Sequence, residues 1–258
     1  MPQRVWLIGG TSESAELARQ FLQHQIPCTV TVTTATAQAL YPPSSLLRVV
    51  VGRLGPTELE GFLQQQAIAA ILDASHPFAV EVSHLAMAAA TQYGLPYLRY
   101  ERPGQALPAH VLTVPDYPTL LATDWLENQR VLLTIGYRNL ELFQPWQTRA
   151  TLFARILPSP EALEAALQAG FTPDRLVALR PPLSPELERA LWQHWQISRV
   201  VTKASGVAGG EVVKAQLAAD LGIQLIVLTR PQVSYLQVTS DLATALQFCE
   251  RVRKFSAR

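Results

Sequence analysis

The sequence predicts an α/β protein of two domains, each built on a parallel sheet, with a cleft along the C-terminal edges of the strands. Three observations predict it. Short apolar, β-branched runs alternate with helical segments along almost the whole chain, and such alternation implies right-handed crossovers and sheets covered on both faces. The alternation breaks where Pro and Gly cluster, around Glu101-Arg102-Pro103-Gly104, which places a domain boundary there and divides the chain into residues 1–102 and 103–258. A glycine-rich turn also follows an apolar strand in each part, at Gly9-Gly10 and again from Gly206 to Gly210.

In the first part, Arg4 to Ile8 reads as a buried strand and Ser12 to His24 as a helix. Cys28 to Thr33 and Leu47 to Val51 are β-branched strands. Thr57 to Gln66 is a helix, Ile68 to Leu72 a strand, Val80 to Tyr93 a helix stopped by Gly94, and Tyr97 to Arg99 a short strand. The second part reads as strands at 130–134, 151–156, 176–179, 199–202 and 224–228, with helices at 160–168, 185–195 and 211–221. Leu242 to Phe255 is a final helix, with packing back onto the first domain or staying with the second both open.

Composition narrows the function classes. The chain has 258 residues, is 48% hydrophobic and carries a formal net charge of +1. That is enough for one large core or two moderate ones, and it gives no bulk attraction to nucleic acid or to a membrane. Cys28 and Cys249 are the only cysteines, too few for a disulfide framework or a zinc site. No apolar run is long enough to span a bilayer, and no basic leader precedes the first strand, so a cytoplasmic location is expected.

Five segments fall at strand ends, the edge where open parallel sheets bind ligands. Gly9-Gly10-Thr11-Ser12-Glu13 joins a strand to a helix N-terminus, where backbone N–H groups and the helix dipole favour an anion such as a nucleotide phosphate. Thr33 and Thr34, after the second strand, stand where a dinucleotide fold presents the adenosine ribose. With no acid there and only Arg53 at the next strand end, NADH and NADPH both remain open. In Asp73-Ala74-Ser75-His76-Pro77, Asp73 and Ser75 suit a helix cap and Pro77 a first turn, whereas His76 suits proton transfer near neutral pH. All of these except His76 are expected to touch the cofactor; His76 is the expected catalytic residue, and no metal is expected. Arg99 and Arg102 suit carboxylate binding. Lys203, Ser205, Gly206 and Lys214, around the second glycine loop, with Arg230 at the next strand end, suit a second anion site. Neither Tyr-x-x-x-Lys nor G-x-S-x-G occurs, which argues against short-chain dehydrogenase and serine-hydrolase chemistry.

Taken together the segments resemble the precorrin-6A reductase family of corrin biosynthesis, including its cobalt-precorrin-6A members. The resemblance rests on Gly9-Gly10-Thr11-Ser12-Glu13, Asp73 to Ala79, Arg99 to Pro103, Leu133-Thr134-Ile135-Gly136, Ala154 to Pro158, Thr202 to Gly206 and Arg230-Pro231, in the family's order over nearly the whole chain. It implies two Rossmann-like domains holding NADPH or NADH and a tetrapyrrole, reduction of one macrocycle double bond by direct hydride transfer, and other corrin-pathway enzymes as partners. Thr34-Ala35-Thr36-Ala37 looks like the anaerobic, cobalt-inserting branch. Arg180-Pro181-Pro182-Leu183-Ser184 departs from the family's Gly-Pro-Phe-Ser. The acetate and propionate arms of a precorrin call for several cations around an apolar floor, and Arg99, Arg102, Lys203, Lys214 and Arg230 are collectively expected to supply them. His76 is expected to relay the proton. A dinucleotide-sensing regulator and a reductase of smaller carbonyls are the competing readings.

Overall fold

A computed structural model describes residues 3–104, 106–206 and 209–255. The first run of elements is β1 (Arg4–Ile8), α1 (Ser12–Gln23), β2 (Cys28–Val32), α2 (Ala35–Gln38), β3 (Leu47–Val51), α3 (Pro56–Gln65), β4 (Ile68–Asp73), α4 (Val80–Tyr93) and β5 (Tyr97–Tyr100). The second is β6 (Leu112–Val114), α5 (Tyr117–Leu121), β7 (Arg130–Thr134), β8 (Thr151–Ile156), α6 (Pro160–Gln168), β9 (Leu176–Ala178), α7 (Pro185–His194), β10 (Arg199–Lys203), α8 (Glu211–Leu221) and β11 (Gln224–Leu228). A tail adds β12 (Val238–Thr239) and α9 (Leu242–Phe255).

The chain forms an α/β structure with two parallel six-stranded sheets, ordered β12-β5-β4-β1-β2-β3 and β6-β11-β10-β7-β8-β9. Within each, five consecutive strands follow the same winding: three step outward from β1 or β7 on one side and the rest lie on the other. This is the doubly wound arrangement that alternating strands and helices dictate.

The division of the chain differs from the sequence expectation in one respect. The first compact unit comprises the residues up to Pro103 together with those from Gln232 onward, and the second runs from Gly104 to Pro231. The described residues 232–255 therefore belong with the N-terminal sheet, extending to the whole tail what the sequence allowed for its last helix. The reason is visible in the pairing. β12 runs parallel to β5, with Val238 opposite Arg99, and Ala245 and Cys249 of α9 are fully buried against the first core.

In the first unit β1 is buried along its whole length. Its alternation sends Val5 and Leu7 to a face covered by Leu17, Ala18 and Phe21 of α1 and by α9. Trp6 and Ile8 go to the opposite face, under Phe62 of α3 and Ala86 and Ala90 of α4. In the second unit Trp192, Trp195, Ala215 and Ala218, from α7, α8 and the turn after α7, pack on Leu132, Val200 and Leu225 of the sheet. The short elements α2, β6, α5 and β12 are absent from the sequence expectation, because runs of two to five residues leave no readable period.

Candidate functional site

Strand order reverses between β1 and β4 in the first sheet, and open α/β sheets bind ligands at the C-terminal end of that reversal. The turn after β1 is packed tightly from below. A Cβ on Gly9 would meet the Tyr41 hydroxyl and lie 2.7 Å from Val30 Cγ1, so the strand can end here only on glycine. Gly10 takes φ +94° with nothing within 4 Å of its Cβ position, and its N–H donates to the Tyr41 hydroxyl at 2.8 Å. That hydroxyl also shares a 2.7 Å hydrogen bond with Ser14 Oγ. Thr11 caps α1: its Oγ1 accepts from Ser14 N–H at 3.1 Å and donates to the Ala74 carbonyl at 2.8 Å. Ser12 is exposed at the start of the helix. Tyr41 was not among the sequence candidates, because no motif marks Ala39-Leu40-Tyr41-Pro42.

At the end of β4, Asp73 is fully buried and both its oxygens are engaged. Oδ1 accepts from Ser75 N–H at 3.0 Å and from Arg99 Nη1 at 2.8 Å; Oδ2 accepts from Ser83 Oγ at 2.6 Å and Tyr97 Oη at 3.0 Å. Arg99, from β5, is 1% exposed. It donates further to Ser75 Oγ at 2.9 Å and to Glu101 at 2.8 Å, and its guanidinium lies 5.2 Å from the Tyr235 ring centroid. Burial opposes the Arg99 charge, but Asp73 and Glu101 outweigh it and its pKa is raised. Burial, reinforced by Asp73, drives the Tyr97 hydroxyl far above the usual phenol range and keeps it a donor.

These contacts correct two expectations. Asp73, expected to touch the cofactor, is fully buried with both oxygens engaged, and Arg99, expected among the carboxylate-binding cations, is 1% exposed and paired with it. Each neutralises the other in the floor of the site, where an unpaired charge would be costly. Asp73 also does not cap α4. It forms a turn with Ser75, and α4 begins only at Val80, after Ala79, with no side-chain cap.

Above this floor lies a small depression lined by Glu13, Ala74, Ser75, Pro77, Arg99, Tyr100 and Arg102. It joins residues from three of the sequence segments. Arg102 pairs with Glu13 across its mouth. His76 is half-buried beside it in sequence, and its Nδ1 accepts from Phe78 N–H at 3.2 Å. In the neutral ring that acceptor role puts the proton on Nε2. At the far side of the reversal, Thr33 is exposed after β2, Thr34 caps α2 through Ala37 N–H at 3.3 Å, and Arg53 is exposed after β3.

The second unit carries its own loop after β10. Val207 and Ala208 lie outside the described residues. Gly206, at φ +70°, gives its N–H to Glu211 Oε2 at 2.7 Å, and Lys214 Nζ donates to the Gly209 carbonyl. Lys214 is 1% exposed, so it too is corrected from a rim cation to a buried one. Burial, with the Arg155 charge adding, pushes its ammonium down to about 8 against the pull of Glu188 and Glu211. The Gly206 N–H is likewise engaged within the loop. Ser205 donates its N–H to the Lys203 carbonyl at 2.7 Å. Lys203 is half-buried; burial first, and Arg138 second, lower it to about 8. Arg230 donates to the Ala204 carbonyl at 3.2 Å. Among the described residues no group of three or more His, Cys, Asp or Glu could hold a metal ion, and no helix is long and apolar enough to cross a membrane.

Two doubly wound sheets, with a glycine turn and a capped helix at the reversal of the first, define an α/β protein of the Rossmann-like class. The chain belongs to the family described as Precorrin-6x reductase CbiJ/CobK, which matches residues 4–250. A cobalt-precorrin-6A reductase of Synechocystis is 50% identical over 96% of this chain and 96% of its own. One from Salmonella typhimurium is 33% identical over 98% and 97%. A solved structure titled CobK precorrin-6A reductase superposes with a TM-score of 0.79 at 25% identity, covering 98% of this chain and 97% of that one. The family's members are oxidoreductases of cobalamin biosynthesis that act on a CH–CH bond of a precorrin ring and use NADPH.

Proposed function

We propose that this chain reduces cobalt-precorrin-6A to cobalt-precorrin-6B, and that the first sheet's reversal holds the cofactor. The observation that carries the cobalt form is the 50% identity, over nearly the whole of both chains, to a protein named for that substrate. The residues present fit a dinucleotide. Nothing stands within 4 Å above Gly10, and the exposed start of α1 at Ser12 lets a phosphate approach the helix N-terminus. Thr33 and Thr34 would face the adenosine ribose, with Arg53 as the cation for a 2′-phosphate. Ser75, His76 and Pro77 would flank the nicotinamide end, on a loop held by Asp73 and Arg99.

When bound, NADPH supplies the hydride. The chain's own contribution is to orient and to supply the proton. The Asp73–Arg99–Ser75 contacts fix the loop that carries His76; orienting reacting groups lowers a barrier by at most about 7–11 kcal/mol. His76, protonated to the imidazolium, would give its Nε2 proton to the ring carbon next to the one reduced and return to the neutral imidazole. Within the second unit, Lys203 and Arg230 lie at strand ends and would meet carboxylate arms of the macrocycle. Exposed Leu142 and Leu157 of the second unit add apolar surface. Substrate and product pass to this chain and from it through other corrin-pathway enzymes.

The test is an anaerobic assay with NADPH, following the nicotinamide absorbance and the macrocycle spectrum together, on the cobalt and the metal-free substrates. Turnover with a higher kcat/KM for the cobalt form is expected. A preference for the metal-free ring would overturn the branch assignment, and cofactor binding without oxidation would overturn the reductase. His76→Ala should lower kcat by about 100-fold or more; normal turnover at saturating substrate would remove His76 from the mechanism.

A further inference from the structure

We propose that Arg138, acting with Lys203, binds a carboxylate arm of the macrocycle at the C-terminal edge of the second sheet. The inference rests on the reductase reading above and adds a specificity residue to it. In the second sheet the strand order reverses between β7 and β10. By the same rule that picks out the β1–β4 edge, the ligand-binding position of this sheet is the one that follows those two strands. Arg138 comes four residues after the end of β7, and Lys203 is the last residue of β10. The strands pair directly, with Thr134 opposite Thr202, so the two cations share one strand-end position.

The local structure holds Arg138 in place. Ile135 is buried, and Gly136 turns the chain at φ +81° with nothing within 4 Å of its Cβ position. Tyr137 to Asn139 then form one 3-10 turn that leaves Arg138 exposed. The guanidinium carbon lies 5.6 Å from the Tyr137 ring centroid, within cation–π range. The ring is itself tied down, because Tyr137 Oη donates to Glu161 Oε1 of α6 at 2.6 Å.

Bringing a second positive charge up to a half-buried lysine works against folding. Part of the lowering of Lys203 comes from Arg138. An anion seated by both groups reverses that sign, since each cation then faces an opposite charge. A carboxylate suits the pair: the arginine fork can grip both oxygens, and the lysine adds a point charge. Leu157 is exposed just after β8, the strand next to β7. It provides apolar contact on the same edge for the body of a large ring.

Steady-state kinetics of the full chain, with cobalt-precorrin-6A and NADPH varied in turn, tests the proposal. Arg138→Gln should raise the macrocycle KM by about 10-fold, less than the loss of a fully buried charge pair because Arg138 is exposed. The NADPH KM and kcat should stay unchanged, and Arg138→Lys should fall between the two. Arg138 is exposed, so both variants should fold; circular dichroism checks it. An unchanged macrocycle KM overturns the proposal. A rise in the NADPH KM alone also overturns it, since the anion would then be a cofactor phosphate. If the unaltered chain shows no turnover, the reductase reading fails instead. A spectrophotometric titration of the macrocycle then decides Arg138 alone: weaker binding by Arg138→Gln supports it, and equal dissociation constants refute it.

Discussion

Asp73 and Arg99 stand 26 positions apart, and each looks like a ligand-facing residue when read along the chain, because each ends a strand at the binding edge. Their register decides otherwise. β4 and β5 pair in parallel with Asp73 opposite Arg99, so the two charges meet each other before they can meet a ligand. One-dimensional spacing places a residue on an edge but does not say whether its side chain turns outward or across to the neighbouring strand. Arg102, Lys203, Arg230 and His76 were placed on edges by the same reasoning, and none of them is buried to the same degree. The consequence for Asp73 is one of stability. Asp73→Ala would leave a buried guanidinium with Glu101 as its remaining acid and strip acceptors from Ser75, Ser83 and Tyr97. Breaking a buried pair from one side costs about 3–5 kcal/mol. A urea unfolding curve should show a loss of that size, and a variant as stable as the parent would contradict the network.

At the scale of elements, the β1–α1 turn was readable in kind but not in its support. Two glycines before a hydroxyl residue and a helical pattern announce a strand-to-helix turn, and Thr11 is the cap such a pattern calls for. The sequence is silent on Tyr41, which reaches the turn from 31 residues away to take the Gly10 N–H. Gly9→Ala should therefore destabilise the chain by about 1–3 kcal/mol through overpacking against Tyr41 and Val30. Tyr41→Phe removes the nearer of the two obstructing atoms and leaves Val30 Cγ1. The double variant should be less destabilised than the sum of the singles, and strict additivity in a double-mutant cycle would show that the two residues do not meet. The second glycine loop teaches the converse. Glu211, Lys214, Ala215 and Ala218 are all buried, and their spacing is the i, i+3, i+4, i+7 stripe of a core-facing helix side. A glutamate and a lysine inside such a stripe point to buried charged groups held by the loop, so the burial of Lys214 was available in the pattern. The flanking glycines drew attention to an anion site instead.

For the molecule as a whole, two doubly wound sheets follow from the alternation of strand and helix patterns, and most element ends agree within one or two residues. What local patterns could not reveal is that the last segment returns to the first sheet, because a chain's crossing from one compact unit to another leaves no mark on its periodicity. That return is integral to the first unit. Val233 and Tyr235 pack on the face covered by α3 and α4. Gln237 and Thr239 accept backbone hydrogen bonds from Arg99 and Glu101, each within 2.9 Å. On the other face α9 buries Ala245 and Cys249 and partly buries Leu242, Leu246 and Phe248. At roughly 1.5–3 kcal/mol for each large apolar side chain fully buried, and less for those partly covered, the tail contributes about 5 kcal/mol. That is comparable to the whole stability of a small domain. A chain ending at Pro231 should therefore lose its first unit while keeping its second. Amide hydrogen exchange would show it as lost protection across β1 to β5 with protection retained across β7, β8, β10 and β11. Equal protection in both sheets would mean that the N-terminal core closes without its C-terminal cover; equal loss would mean that the two units fold only together.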